Sequence, residues 1–177
     1  MRRSRDFSEE IVNIQTYAVH HDDLEQSLKL YFGMGAPSFN LRFAGYEAAE
    51  VDEELRARLA ELELASALTV LSAVEAAFRI DYLLRCDLKK RDPISTGFRT
   101  VYRAKKDRAR LDDDILGVWK AHTQGSAKLI GDLRGAFKFR NWLAHGRYLV
   151  RDGQKYDYAT IYALAATTLN SFPLFRP

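Results

Sequence analysis

Near the C-terminus, six consecutive positions hold an arginine, an amide and a histidine, in the run Arg140-Asn141-Trp142-Leu143-Ala144-His145-Gly146-Arg147-Tyr148. An arginine neutralises phosphate through a planar fork of donors, and a histidine moves protons near neutral pH, so the set suits phosphodiester chemistry. On a helix Asn141 and His145 lie one turn apart on the same side, with Arg140 the angular neighbour of Asn141, so the three side chains can converge at the helix end. There the negative end of the helix macrodipole favours an imidazolium at His145. His145 then serves as general acid or base and Arg140 stabilises charge building on a phosphoryl oxygen. Asn141 holds the imidazole or a phosphate oxygen in register. For His145 alone, interaction with the last carbonyls of its own helix is the plainer role.

The helix that must carry this run opens at Gly125-Ser126 and extends to about His145, with Gly146 suited to the C′ position. Its apolar stripe is Leu129, Leu133, Ala136, Phe137 and Ala144, and Arg140 falls inside it. A long Ala- and Leu-rich helix over residues 52–88 presents Leu64, Ala67, Leu68, Leu71, Val74, Phe78 and Tyr82, and Glu75 falls inside that stripe. A charge on a core-facing stripe carries a desolvation cost of several kcal/mol unless it is paired or solvated in a cleft. Glu75 has two candidate partners: Arg79 in an i,i+4 pair, or Arg140 across a helix interface, where the carboxylate would orient the guanidinium. Gly131 and Gly135 mark the other side of the Arg140 helix, continued by Phe139 and Trp142. Paired helical glycines suit close backbone approach, so that side packs either within the chain or against a second copy.

The remaining pattern is helical. Residues 7–32 read as one or two amphipathic helices stopped at Gly33-Met34-Gly35-Ala36-Pro37. Asp92-Pro93 ends the long helix, Ser95 or Thr96 caps a third, and Asp112-Asp113-Asp114 caps one carrying Ile115, Leu116, Val118 and Trp119. A small β-hairpin is expected around Asp152-Gly153, with flanks at 148–151 and 154–158. A last helix over 159–172 presents Ile161, Leu164, Ala165, Thr168 and Leu169. The fold class is all-α with one C-terminal hairpin.

At 177 residues, 47% hydrophobic and 29% charged, the chain has the composition of one globular domain. The longest apolar stretch, residues 64–80, is broken by Glu75 and Arg79, which argues against a membrane span. The basic N-terminus is followed by no apolar signal core, and Cys86 is the single cysteine. A cytoplasmic protein is expected. Charge is uneven: residues 89–110 carry nine Lys/Arg against two acids, residues 126–155 seven against two, and residues 47–63 seven acids against two arginines. The two basic stretches suit a polyanion, or are solvated helix faces balanced by the acidic one. His20-His21-Asp22-Asp23 has metal-capable residue types but reads as a helix start with capping aspartates, so no metal and no cofactor are expected. Tyr46, Tyr102, Tyr148, Tyr156 and Tyr158 are either base-stacking platforms or half-buried packing.

Arg140-Asn141-Trp142-Leu143-Ala144-His145 resembles the R-x4-6-H signature of the HEPN superfamily, with the usual polar residue after the arginine. The resemblance covers residues 52–177 as a HEPN-like helical bundle and leaves 1–51 as an N-terminal helical extension. It implies a metal-independent endoribonuclease, often a toxin or defence effector, working as a homodimer that brings two Arg/His pairs into one cleft. Arg140 would bind the scissile phosphate, His145 move protons and Asn141 position them, while Glu75 supports Arg140 and Lys138, Arg147 and Tyr148 contact the RNA. The RNA's own 2′-OH would attack phosphorus, leaving a 2′,3′-cyclic phosphate, so DNA would not be cut. An antitoxin or other regulatory protein is the implied partner. Members controlled by a nucleotidyltransferase carry a tyrosine two residues past the histidine; here Arg147 stands there and Tyr148 follows, which argues against control by adenylylation. A non-catalytic HEPN-like module that binds a nucleotide or a protein is the competing expectation.

Overall fold

The computed structural model describes residues 6–8, 11–148, 150 and 156–177, and among these there are seven α-helices and no strand. In order they are α1 (Ile14–Tyr31), α2 (Phe39–Arg42), α3 (Ala48–Leu88), α4 (Pro93–Lys105), α5 (Leu116–His122), α6 (Ala127–Ala144) and α7 (Tyr158–Ser171). A 3₁₀ turn (Lys106–Arg108) and a π-helical turn (Leu111–Ile115) link α4 to α5. The all-α expectation holds. The hairpin turn at Asp152-Gly153 lies outside the described residues, and the described part of its second flank is coil at Tyr156 and Asp157 and enters a helix at Tyr158. Asp157 caps α7 by accepting the Thr160 N–H at 2.7 Å, so Tyr158 begins a helix instead of ending a strand.

α3 organises the rest. Its 41 residues span about 60 Å at 1.5 Å per residue, and it packs against α1, α4, α6 and α7. It starts at Ala48, earlier than the expected Asp52, because Glu50 reaches back to the Glu47 N–H at 2.8 Å. Other caps also differ from expectation. Asp92 caps α4, accepting the Ser95 N–H at 3.0 Å with Pro93 in the first helical position, so Ser95 and Thr96 lie inside the helix. The three aspartates at 112–114 cap no helix; they form the π turn, where Asp114 accepts the Arg110 N–H at 2.8 Å. His20-His21-Asp22-Asp23 sits inside α1, whose cap is Asn13, accepting from Gln15 at 2.9 Å and Thr16 at 3.2 Å.

The main core joins Ile14 of α1 to Val70, Leu71, Val74 and Phe78 of α3, Phe98, Trp119, Ile130, Leu133 and Ile161. The N-terminal helix expected as an extension therefore packs into the same core. On α6 the buried set is Ile130, Leu133, Ala136, Phe137 and Phe139, whereas Leu129 is half-buried and Ala144 exposed. The stripe widens because α6 has a second partner: Phe139 stacks on Tyr156 at 5.3 Å and on Trp142 at 5.9 Å.

The α3 stripe of Ala67, Leu71, Val74 and Phe78 continues, at the same spacing, into Asp81 and Arg85, and both are buried. Arg85 donates from Nε to Asp81 Oδ1 at 2.7 Å, from Nη1 to Asp92 Oδ1 at 3.2 Å, and from Nη2 to the Pro173 carbonyl at 2.7 Å. The Phe175 N–H donates to Asp81 Oδ1 at 2.9 Å, and the guanidinium lies 4.0 Å from the Phe175 ring centroid. Burial pushes the Asp81 carboxyl up; the Phe175 N–H, Arg85 and Trp119 Nε1, the last without full hydrogen-bond geometry, offset this only in part. For a raised carboxyl the ionised form is the unfavourable one. Its contribution is greatest below the ordinary carboxylate pKa and falls as pH rises through the folded value.

Arg85→Ala strands a buried carboxylate, so it should lose about 3–5 kcal/mol in urea unfolding. Asp81→Asn keeps an acceptor for Arg85 and Phe175 and should cost clearly less. A larger loss for Asp81→Asn than for Arg85→Ala would contradict this account of the pair.

Candidate functional site

Arg140 meets α3 at Glu75. Its Nη2 lies 3.0 Å from Glu75 Oε2 and its Nη1 donates to Asn141 Oδ1 at 3.1 Å. Glu75 Oε1 accepts from Arg79 Nε at 2.7 Å, so the two candidate partners of Glu75 are engaged together. Arg79 also donates to the Ala109 carbonyl at 3.2 Å, fixing the connection ahead of the π turn. Arg140 Nε is buried and has no acceptor among the described residues, an arrangement that costs about 1–3 kcal/mol and needs a reason.

These residues line a groove of about 290 Å³ between α3, α6 and the π turn. Its walls carry Arg79, Arg110, Arg134, Lys138 and Arg140 against Glu75 and Asp112, so the basic side chains outnumber the acids. Arg134 lies against Asp112, with Nε 2.5 Å from Oδ1 off the hydrogen-bond line and Nη2 donating to the Asp112 carbonyl at 2.9 Å. Arg110 pairs loosely with Asp113 at 3.2 Å. Lys138 is exposed and has no acidic partner among the described residues. Asp114 fastens this wall through Lys105 at 2.7 Å and the Arg110 N–H. Burial alone would raise its carboxyl, but those two donors outweigh it and hold it below the usual carboxylate range.

His145 is the C-cap of α6, exposed, and does not line the groove. Gly146 (φ 81°) stands at C′, and the Gly146 and Arg147 N–H groups bond the Leu143 carbonyl at 3.2 Å and the Trp142 carbonyl at 3.1 Å, closing a Schellman motif. That reversal turns Arg147 away from Arg140. It grips Glu61 with both terminal nitrogens, at 2.8 and 3.0 Å, about 21 Å along α3 from Glu75. Tyr148 is exposed beside it. Within one chain the structure thus gathers Arg140, Asn141, Glu75 and Lys138, and leaves His145, Arg147 and Tyr148 beyond the groove.

Gly135 meets the Tyr156 hydroxyl: a Cβ there would lie 2.5 Å from it, whereas Gly131 faces open space. The glycine side of α6 is therefore covered at one end by the chain itself. Among the tyrosines, Tyr102 and Tyr156 pack on the core, Tyr158 lies on the His21 ring at 3.7 Å, and Tyr46 and Tyr148 are exposed. Arg110 and Arg134 were hidden in the charge counts, because nothing in the linear sequence tells which cations share a groove. No protein-family model, curated protein or solved structure matches this chain.

Glu75→Gln removes the carboxylate that Arg79 and Arg140 share. It should lower stability by about 1–3 kcal/mol in chemical denaturation and raise the salt needed to elute the protein from heparin, since the groove becomes more positive. For Asp114 the stabilisation is present above the ordinary carboxylate pKa and is lost as pH falls through the lowered folded value. Amide exchange over residues 106–115 should accelerate in that acid window, and Asp114→Asn should reproduce the effect at neutral pH.

Proposed function

We propose that this chain is a metal-independent endoribonuclease of HEPN type, cleaving RNA as a homodimer. The observation that carries the proposal is the setting of Arg140. Its side chain is only 27% exposed, one nitrogen is buried without an acceptor, and a carboxylate and an amide hold the other two at the mouth of a basic groove. An apolar residue would pack there at lower cost, so a guanidinium kept in place suits an anionic substrate. Arg110, Arg134 and Lys138 extend the positive surface along which an RNA backbone would lie.

His145, exposed at the end of the same helix, completes the site from a second copy. A two-fold axis near the C-terminal end of α6 brings the Arg140 groove of one protomer toward His145 of its partner. The neighbouring Tyr148 and Val150, 78% and 94% exposed, supply apolar area for that contact. The 2′-oxygen attacks phosphorus as its proton passes to a base, and the 5′-oxygen leaves with a proton, giving a 2′,3′-cyclic phosphate and a 5′-hydroxyl. Arg140 stabilises the charge on the non-bridging oxygens and His145 moves a proton. A toxin or defence role with a protein antagonist fits this activity, and Arg147, standing where adenylylated members carry a tyrosine, offers no hydroxyl to modify. The position of His145 as a helix cap favours one second reading, a non-catalytic module that binds a nucleotide or a protein.

Labelled total RNA incubated with the protein in EDTA tests the choice. Wild type should leave cyclic-phosphate ends, Arg140→Ala should lose roughly 10²–10³-fold, and His145→Ala roughly 10²–10⁴-fold while still binding RNA. Mixing the two inactive variants should restore cutting, because one mixed-dimer site holds both groups. RNA binding without cleavage by wild type would favour the binding module.

A further inference from the structure

A second cavity, of about 520 Å³, opens between α1, α3 and α7, and its polar lining is of the opposite sign: His21, Asp22, Glu25, Glu63 and Asp157. A ring nitrogen of His21 and one carboxylate oxygen each of Asp22 and Glu25 lie within 4.8 Å of one another. Ligands that share an ion at about 2.0–2.2 Å lie closer together than this, so binding would draw the three groups inward. His21 and Glu25 are one turn apart on the same face of α1, and Asp22 adjoins them.

His21 supplies an independent observation. It lines this cavity although it is only 6% exposed, clamped between the Tyr158 ring and α3. Its Nδ1 lies 2.8 Å from Ser66 Oγ, and Nε2 has no hydrogen-bond partner among the described residues. One ring nitrogen fixed by a neighbouring polar group, with the other left over, is the arrangement that orients a ligating histidine. The sequence expectation of capping aspartates hid this, because the run lies in mid-helix, where His21 is buried against Ser66 of α3 and Tyr158 of α7 while His20, Asp22 and Asp23 stay exposed.

We infer that His21, Asp22 and Glu25 bind a divalent transition-metal ion, with zinc or manganese the class that fits one imidazole and two carboxylates. Three protein ligands leave coordination positions open toward the cavity. Lys29 lies 2.7 Å from Glu25. This exposed i,i+4 pair is weak, and the ion displaces it. Asp157 remains the cap of α7, and Glu63 is the nearest reserve carboxylate on α3. The site is separate from the Arg140 groove and from cleavage in EDTA.

The test uses the full-length, tag-free chain stripped with EDTA and desalted, then titrated with zinc by calorimetry and with manganese by loss of the free-ion EPR signal. The expected result is one ion per chain at micromolar affinity, weakened about tenfold or more by Asp22→Asn and by Glu25→Gln, both of which lie on the helix surface and keep the circular dichroism spectrum. Glu75→Gln in the basic groove should bind as wild type. No saturable binding into the millimolar range, unchanged affinity in both α1 variants, or loss in Glu75→Gln would each overturn the assignment.

Discussion

Arg85 holds the end of the bundle together. Its guanidinium is buried where α3, the cap of α4, the Trp119 ring of α5 and the C-terminal segment meet, and it bonds a group from most of them: Asp81, Asp92 and the Pro173 carbonyl. A cation in that position is tolerated because each arm has an acceptor and aromatic faces cover it. Removing it would leave a carboxylate, a helix cap and a chain terminus without a common anchor. The candidate site depends on the same end of α3. Tyr82 donates to the Lys106 carbonyl at 2.8 Å and Arg79 to the Ala109 carbonyl at 3.2 Å, so α3 also fixes the connection that becomes the groove wall.

A π-helical turn is an uncommon way to begin a helix, and here it is tied down by ion pairs. Its three successive aspartates each meet a cation: Asp112 meets Arg134, Asp113 meets Arg110 and Asp114 meets Lys105. Each acid is answered by a cation from a different part of the chain. The groove is therefore a partly neutralised cluster, with basic capacity left over at Lys138 and around Arg140.

Charge is segregated across the molecule. The groove between α3 and α6 is dominated by arginines, and the cavity between α1, α3 and α7 by carboxylates around one buried histidine. The two lie against different stretches of α3, so a polyanion and a cation can be bound without competing. α6 makes the same division on a smaller scale, burying Ile130, Leu133 and Ala136 against the core and turning Arg140 to the groove. Phe139 and Gly135 face Tyr156.

The amino-acid sequence by itself determined the longer helices, though not the four-residue α2, because period 3.6 in apolar residues and the stops at Gly33, Asp92-Pro93 and Gly146 are local properties. It also determined that Glu75 and Arg140 needed partners, since each interrupts an apolar stripe, whereas reading the α3 stripe to Tyr82 passed over Asp81 and Arg85, which the fold buries. Tertiary structure decided who those partners are. Arg140 could reach Glu75 only once α6 lay on α3, and Arg147 found Glu61 only after the Gly146 reversal turned the chain. The caps at Asp92 and Asn13 also fell to residues other than the serine, threonine and aspartates expected from the sequence. Cap choice depends on which candidate has extended backbone as the chain enters the helix, and packing sets that conformation. The metal-capable face of α1 stayed hidden for a related reason: spacing placed His21 and Glu25 on one side, but only the fold brought Ser66 and Tyr158 against that side and buried the imidazole.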